Sequence, residues 1–288
     1  MNSVCLHSTA VAPARAGSAG AGRVRTLKPA ARRAHRFTGF GRLALRSAGL
    51  VGIIVGAGFQ HLWGRWVGRG PLAVGARTQW LCRWSQRTLS LFDICVSVRG
   101  APPTAGLLVC NHLSYLDILV LASRNPSVFV AKAEVSRWPV FGALARAAGT
   151  LFIHREKPGD VPRLNGAMAP LVSAGHVVVF FPEGTSSDGH TVLPFHSALL
   201  APAAEHRWPV TAAWMGYALE DGSVEDEVCY WRDMTFFQHL LNLMTKRQIR
   251  ACVIYGETHL AEANRKGLAR QLQAEVRELR TEGLPLLG

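Results

Sequence analysis

No aspartate or glutamate occurs in the first 92 residues; the first acidic side chain is Asp93. That stretch nevertheless holds 14 of the 32 lysines and arginines, leaving 18 basic and 19 acidic groups for the rest. The net charge of +13 therefore belongs to the N-terminal third and points to an anionic partner there. Other absences narrow the field. The six cysteines contain no CxxC pair and no regular framework, so they read as reduced, mostly buried thiols of a cytosol-facing protein. No GxSxG nucleophile elbow occurs, which removes the usual sequence signature of a serine hydrolase. His190, His196 and His206 follow no compact ligand spacing, so no metal is expected. No internal repeat is present.

What is present is apolar. Hydrophobic residues make up 49% of the chain, which excludes global disorder. Gly49–Phe59 is an uncharged run, followed by Trp63, Trp66, Trp80 and Trp84 among arginines. Tryptophan suits a lipid–water boundary and arginine suits anionic headgroups. A membrane surface explains this combination and nucleic acid does not. A spanning helix needs about 20 apolar residues. Between Leu43 and Trp66 the run is interrupted by Arg46, His61 and Arg65, of which Arg46 and Arg65 are placed to snorkel. A helix dipping into one leaflet is expected, with a weak span as the alternative. Thr78–Phe92 has Trp80, Leu81, Trp84, Thr88 and Leu91 on one helical face and reads as a second helix at the membrane. Residues 1–36, rich in Ala, Gly, Arg and Ser and without periodicity, read as a disordered basic segment.

From Ile94 onward short β-rich runs alternate with helical ones. Expected strands are 94–98, 106–110, 128–131, 150–153, 177–181, 210–214 and 251–255. Expected helices are 115–123, 138–148, 161–174, 199–205, 236–243 and 261–282. Such alternation implies an α/β fold with a mixed, largely parallel sheet flanked by helices. The organisation is thus 1–36 disordered, 37–92 membrane-associating helices, and 93–288 a single α/β domain.

Chemistry in such folds gathers where strands end, and three polar segments sit there. In "VCNHLSYLDILV", His112 and Asp117 are five apart, about 140° on a regular helix. They meet only if His112 lies in the turn before a helix and Asp117 in its first turns, with Ser114 as N-cap. Asp117 would then hold one imidazole nitrogen and leave the other as a base. In "VVVFFPEGTSSDG", Pro182 stops a buried strand, Gly184 permits a turn and close ligand approach, and Glu183 and Thr185 offer hydrogen bonds. In "AAGTLFIHREK", a short strand delivers His154, Arg155 and Lys157, and a fixed guanidinium suits phosphate or carboxylate.

Together these segments resemble the glycerophospholipid acyltransferase family, best known for the 1-acyl-glycerol-3-phosphate acyltransferases. "NHLSYLD", "GTLFIHR", "FPEGTSSDG" and "WPVTAAW" resemble its successive blocks, in order, from about Ile94 to Trp214. The resemblance implies direct transfer of an acyl group from a thioester of coenzyme A or acyl carrier protein to a lipid hydroxyl. It gives His112 the role of base and Asp117 that of its orienting partner. It assigns the acceptor's phosphate to Arg155, acceptor binding to Glu183, Gly184 and Thr185, and added positive charge to Lys132. No cofactor or metal is implied beyond the thioester co-substrate.

One departure stands out. The family's third block commonly continues with arginine after glycine-threonine, where this chain has Ser186. The stretch "CYWRDMTFFQHLLNLM" also resembles bacterial members, some of which acylate lyso-ornithine lipid. A lysophosphatidic acid acceptor, giving phosphatidic acid, is the first expectation, and an amino-acid headgroup the alternative. The expected location is the cytoplasmic face of the inner membrane. From other classes, a lipid-ester hydrolase using Ser114 or Cys110 and a non-catalytic membrane-binding module stand as rivals.

Overall fold

The computed structural model describes residues 25–26, 39–154 and 159–287. The reading of residues 1–36 lies outside these, apart from Arg25–Thr26. Eight strands form one sheet: β1 (Arg25–Thr26), β2 (Ile94–Arg99), β3 (Gly106–Cys110), β4 (Ser127–Lys132), β5 (Leu151–Ile153), β6 (Val177–Phe180), β7 (Pro209–Leu219) and β8 (Ile249–Leu260). Their order is β1-β2-β8-β7-β3-β6-β4-β5. From β7 to β5 every neighbouring pair is parallel, while β8 runs antiparallel to β7 and parallel to β2. The sheet is mixed and mostly parallel.

Nine helices are described: α1 (Gly39–Val67), α2 (Val74–Leu91), α3 (Leu116–Arg124), α4 (Phe141–Ala148), α5 (Asp160–Ser173), α6 (Ala201–His206), α7 (Val224–Glu227), α8 (Phe236–Thr245) and α9 (Arg265–Gly283). They cover both faces of the sheet. All four residues of β6 are buried, and alternate side chains enter opposite cores. Val177 and Val179 join Leu89, Leu116, Val120 and Leu243 from α2, α3 and α8. Val178 and Phe180 join Leu164 and Met168 of α5 and Leu268, Leu272 and Val276 of α9. Central parallel strands covered on both faces read as continuous apolar runs, which is why "VVVFF" stands out in the sequence.

β2 and β4 run one or two residues past their expected bounds, and β7 and β8 run much further. β7 and β8 pair antiparallel from Pro209–Leu260 to Leu219–Ile249. Cross-strand hydrogen bonds carry the ladder past Gly216 and Gly256, where the apolar pattern that marks a strand lapses.

The N-terminal helices pack on the α/β domain, and here some expectations change. Arg46 does not snorkel. It is 6% exposed and donates to the carbonyls of Leu91 (3.2 Å), Met244 (3.1 Å), Lys246 and Arg247 (3.3 Å). These are free carbonyls at the ends of α2 and α8, which need external donors. Trp80 and Trp84 also turn inward: their indole N–H groups donate to Ala57 O and Gln60 Oε1. Gly49 and Gly56 permit this packing, because a Cβ there would lie 2.6 Å from Leu91 and 2.9 Å from Trp84. The opposite face of α1 is bare, with Val51, Val55, Phe59, Leu62, Trp63 and Trp66 all exposed. The helix is long and apolar enough to cross a membrane, yet one side of it is committed to protein.

Candidate active site

β3 and β6 are parallel neighbours, so their C-terminal ends open on the same edge of the sheet. Just beyond β3, Asn111 is buried and clamps the chain to β7. Its amide donates to Met215 O (2.9 Å) and its carbonyl accepts from Met215 N–H (2.8 Å). The chain leaves the sheet at the next residue, His112, before α3 begins. Asp117 lies in the first turn of α3, and its Oδ2 stands 2.8 Å from His112 Nδ1.

Asp117 is fully buried, and four donors surround its carboxylate. Besides the imidazole, Oδ2 takes the backbone N–H groups of Leu113 (2.7 Å) and Ser114 (3.1 Å). Oδ1 takes the hydroxyl of Tyr217 at 2.6 Å. A buried carboxylate is tolerable only with this kind of compensation. Burial first, and Asp117 second, push the Tyr217 hydroxyl far above its ordinary pKa, so it remains an O–H donor. Because Oδ2 only accepts, Nδ1 carries the proton and Nε2 is left as the basic nitrogen. Ser114 is not the N-cap: its Oγ is buried without a hydrogen-bond partner among the described residues. Asp117 reaches back to the free N–H groups instead.

Phe181, the first residue past β6, stacks on the His112 ring with centroids 4.1 Å apart and planes 14° apart. Glu183 follows, 3% exposed. Its oxygens accept from His112 N–H (3.2 Å) and Leu193 N–H (3.1 Å), so the carboxyl ties the two loops together from within. Burial raises its pKa to about 8. Gly184 makes the turn at φ +79°, a region that favours glycine. Thr185 beside it is exposed. Ser187 N–H donates to His112 O at 2.9 Å, a third tie between these loops. Ser186 donates its hydroxyl to Tyr230 O.

Lys132 is exposed at the C-terminal end of β4, on the same edge as His112. Arg155 and Lys157 fall outside the described residues. Their neighbour His154 sits at the end of β5, with Nδ1 2.8 Å from Asp160 Oδ2. Among the described residues, Asp188, His190 and Glu225 place ligand-type atoms within 4.8 Å of one another, with His190 Nε2 3.1 Å from Glu225.

Behind the dyad lies an apolar cavity of about 210 Å³. Tyr115 and Leu116, between His112 and Asp117 in sequence, form part of its wall, and Trp80, Leu119, Phe141 and Leu240 form other parts. An aromatic group of Tyr115, Tyr230, Phe236 and His239 stands beside it, with the Tyr115 hydroxyl 3.0 Å from His239 Nδ1. The site thus presents a base, its partner and an adjoining greasy space.

The family described as Acyltransferase matches residues 95–216. The lyso-ornithine lipid O-acyltransferase of Rhodobacter capsulatus is 34% identical over 256 residues, 83% of this chain and 90% of that protein. This chain belongs to the glycerophospholipid acyltransferase family. The 1-acyl-sn-glycerol-3-phosphate acyltransferase of Neisseria gonorrhoeae is 36% identical over a shorter stretch, 50% of this chain and 61% of that protein. The crystal structure of the 1-acyl-sn-glycerophosphate acyltransferase of Thermotoga maritima shares the fold, with a TM-score of 0.63 at 18% identity, covering 84% of this chain and 94% of that one. As a member of the acyltransferase family, the chain is an O-acyltransferase of lipid metabolism, associated with membranes.

Two parts of this acyltransferase site were not read from the sequence. Tyr217 lies one residue beyond the matched stretch, on a strand expected to end at Trp214. Its signal is spacing: Ala213, Met215 and Tyr217 share one face of β7 in the core around α3, and a tyrosine there needs a polar partner. Asn111 is part of "NHLSYLD", but the backbone groups it would clamp lie 104 residues away.

Proposed function

We propose that the protein transfers a fatty acyl group from a thioester of coenzyme A or acyl carrier protein to a hydroxyl of lyso-ornithine lipid. The observation behind the chemistry is the His112–Asp117 pair, with Nδ1 tied down and Nε2 left basic. Nε2 removes the hydroxyl proton as the oxygen attacks the thioester carbonyl. The tetrahedral intermediate collapses, the C–S bond breaks, and the departing thiolate takes the proton back from the imidazolium. Asp117 keeps the ring in its working tautomer and stabilises its charge. Glu183 acts by holding the His112 loop rather than by meeting the acceptor. Gly184 and Thr185 form the turn nearest the acceptor, and the apolar cavity takes the acyl chain.

Two observations favour the amino-acid headgroup. The lyso-ornithine relative aligns along nearly its whole length, whereas the lysophosphatidic one aligns over about half of this chain. Ser186 stands where the family's third block commonly has arginine, and its hydroxyl is committed to Tyr230 O. The second reading, a lysophosphatidic acid acceptor, draws on the basic residues Lys132, at the end of β4, and Arg155.

Arg46 fastens the first turns of α1 to protein, so the exposed stripe from Val51 to Trp66 dips into one leaflet rather than spanning. The face is cytoplasmic, where both thioester donors are found. Purified protein in vesicles, offered equal amounts of lyso-ornithine lipid and lysophosphatidic acid with either donor, tests the reading. Preferential acylation of lyso-ornithine lipid, lost in His112→Ala, is expected. Exclusive acylation of lysophosphatidic acid would reverse the acceptor assignment, and full activity in His112→Ala would overturn the mechanism.

A further inference from the structure

At the end of α1 remote from Arg46 lies a second cavity, of about 480 Å³, which the acyl-transfer chemistry does not use. The last turns of α1, the α1–α2 connection, the start of α2 and the last turns of α4 enclose it. Three arginines and a histidine line it: Arg65, Arg77, Arg146 and His61. No carboxylate is among the lining residues, and none exists anywhere in the first 92 residues of the chain. Gly58, Leu62, Leu72 and Trp80 give it an apolar flank.

The basic groups are built in to different degrees. Arg77 donates Nε–H to Ala147 O at 2.9 Å and Nη2–H to Arg146 O, so it closes the C-terminal end of α4 and is fixed in place. The His61 ring stands edge-on to Trp80, centroids 5.6 Å apart, and its Nδ1 is buried without a hydrogen-bond partner among the described residues. Arg146 donates Nη1–H to Ser136 O, whereas Arg65 is exposed and its side chain donates to no carbonyl among the described residues. Gathering like charges without a counter-charge is unfavourable, and a bound anion relieves it.

The surroundings say which anion. Trp63 and Trp66, on the same turn of α1 as Arg65, are 53% and 72% exposed, and their rings lie 5.1 Å apart. Exposed tryptophans beside arginines mark the headgroup level of a bilayer. A cavity with guanidinium groups on one side and apolar groups on the other, at that depth, matches a phosphodiester attached to acyl chains. We infer that the cavity between the end of α1 and α4 binds the headgroup phosphate of an anionic membrane phospholipid, through Arg65, Arg146 and Arg77. The site is separate from the acceptor site and does not depend on which acceptor is acylated. It also shares Trp80 and Leu144 with the walls of the apolar cavity, so an occupant braces that wall.

Calorimetric titration with dihexanoyl phosphatidylglycerol, below its micelle concentration, tests this on the full-length protein. Saturable binding of one lipid is expected, weakened about tenfold by Arg65→Ala and by Arg146→Ala, the loss of a charge-assisted hydrogen bond. Thermal melts of both variants check that they fold. Arg69→Asn removes the same charge one turn on, outside the cavity, at a residue whose φ of +51° asparagine tolerates, and is expected to bind as the unaltered protein does. An equal loss in Arg69→Asn means diffuse attraction and overturns the site. Equal binding of dihexanoyl phosphatidylcholine, or of inorganic phosphate alone, overturns the assignment to an anionic lipid.

Discussion

The hydroxyl of Tyr217 donates to Asp117 Oδ1 at 2.6 Å across 100 residues of chain. This contact joins β7 to the first turn of α3 and fills the carboxylate oxygen that the imidazole does not use. Tyr217→Phe keeps the ring and leaves that oxygen buried without its donor. A fall of about tenfold in kcat with little change in KM is expected, with a loss of about 1–3 kcal/mol in stability. A shift in the pH profile of kcat/KM, measured alongside, separates an effect on His112 from mere loosening of the core.

Glu183 makes stability depend on pH. Its pKa is raised to about 8 in the folded chain, first by burial, against an ordinary 4.5. The native state therefore keeps the proton over a range where the unfolded chain has lost it. Its contribution is full below about pH 4.5, declines as pH rises, and is gone above about 8. Thermal melts across this window should show the unaltered protein losing on the order of a few kcal/mol. Glu183→Gln cannot ionise, so its melting temperature should start lower, one N–H partner being lost, and vary less with pH. A parallel pH slope in both proteins would remove Glu183 as the cause.

The apolar cavity makes a prediction about chain length. Ala145 of α4 and Ala131 of β4 both line it. Ala145→Leu places three more carbon atoms there. Long-chain thioesters should lose about tenfold or more in kcat/KM while short ones keep their rates, as competition between donors of different length would reveal. Equal losses at every length would mean that the chain lies elsewhere.

Arg46 links α1 to the carbonyl ends of α2 and α8. Arg46→Met retains much of the stem but none of the donors. Removing them leaves several carbonyls unpaired, a cost of about 1–3 kcal/mol each where buried. Increased hydrogen exchange confined to the N-terminal half of α1 and the end of α8 is the expected readout. An unchanged exchange pattern would show that the arginine is dispensable to docking.

The sequence alone determined the layer architecture, the strands that form the centre of the sheet, and the blocks around His112, Gly149 and Glu183. The reason is local: buried parallel strands are continuous apolar runs, and the loops that follow them must carry residues suited to a turn. It also determined the basic, acid-free N-terminal third. Tertiary structure alone decided that Arg46, Trp80 and Trp84 face protein rather than lipid, because their partners lie on other helices. It likewise decided that Tyr217 and Asn111 serve the dyad, and that Glu183 points inward to two backbone N–H groups. Each of these depends on a partner from a distant part of the chain, and residue spacing carries no record of such a partner until the sheet is assembled.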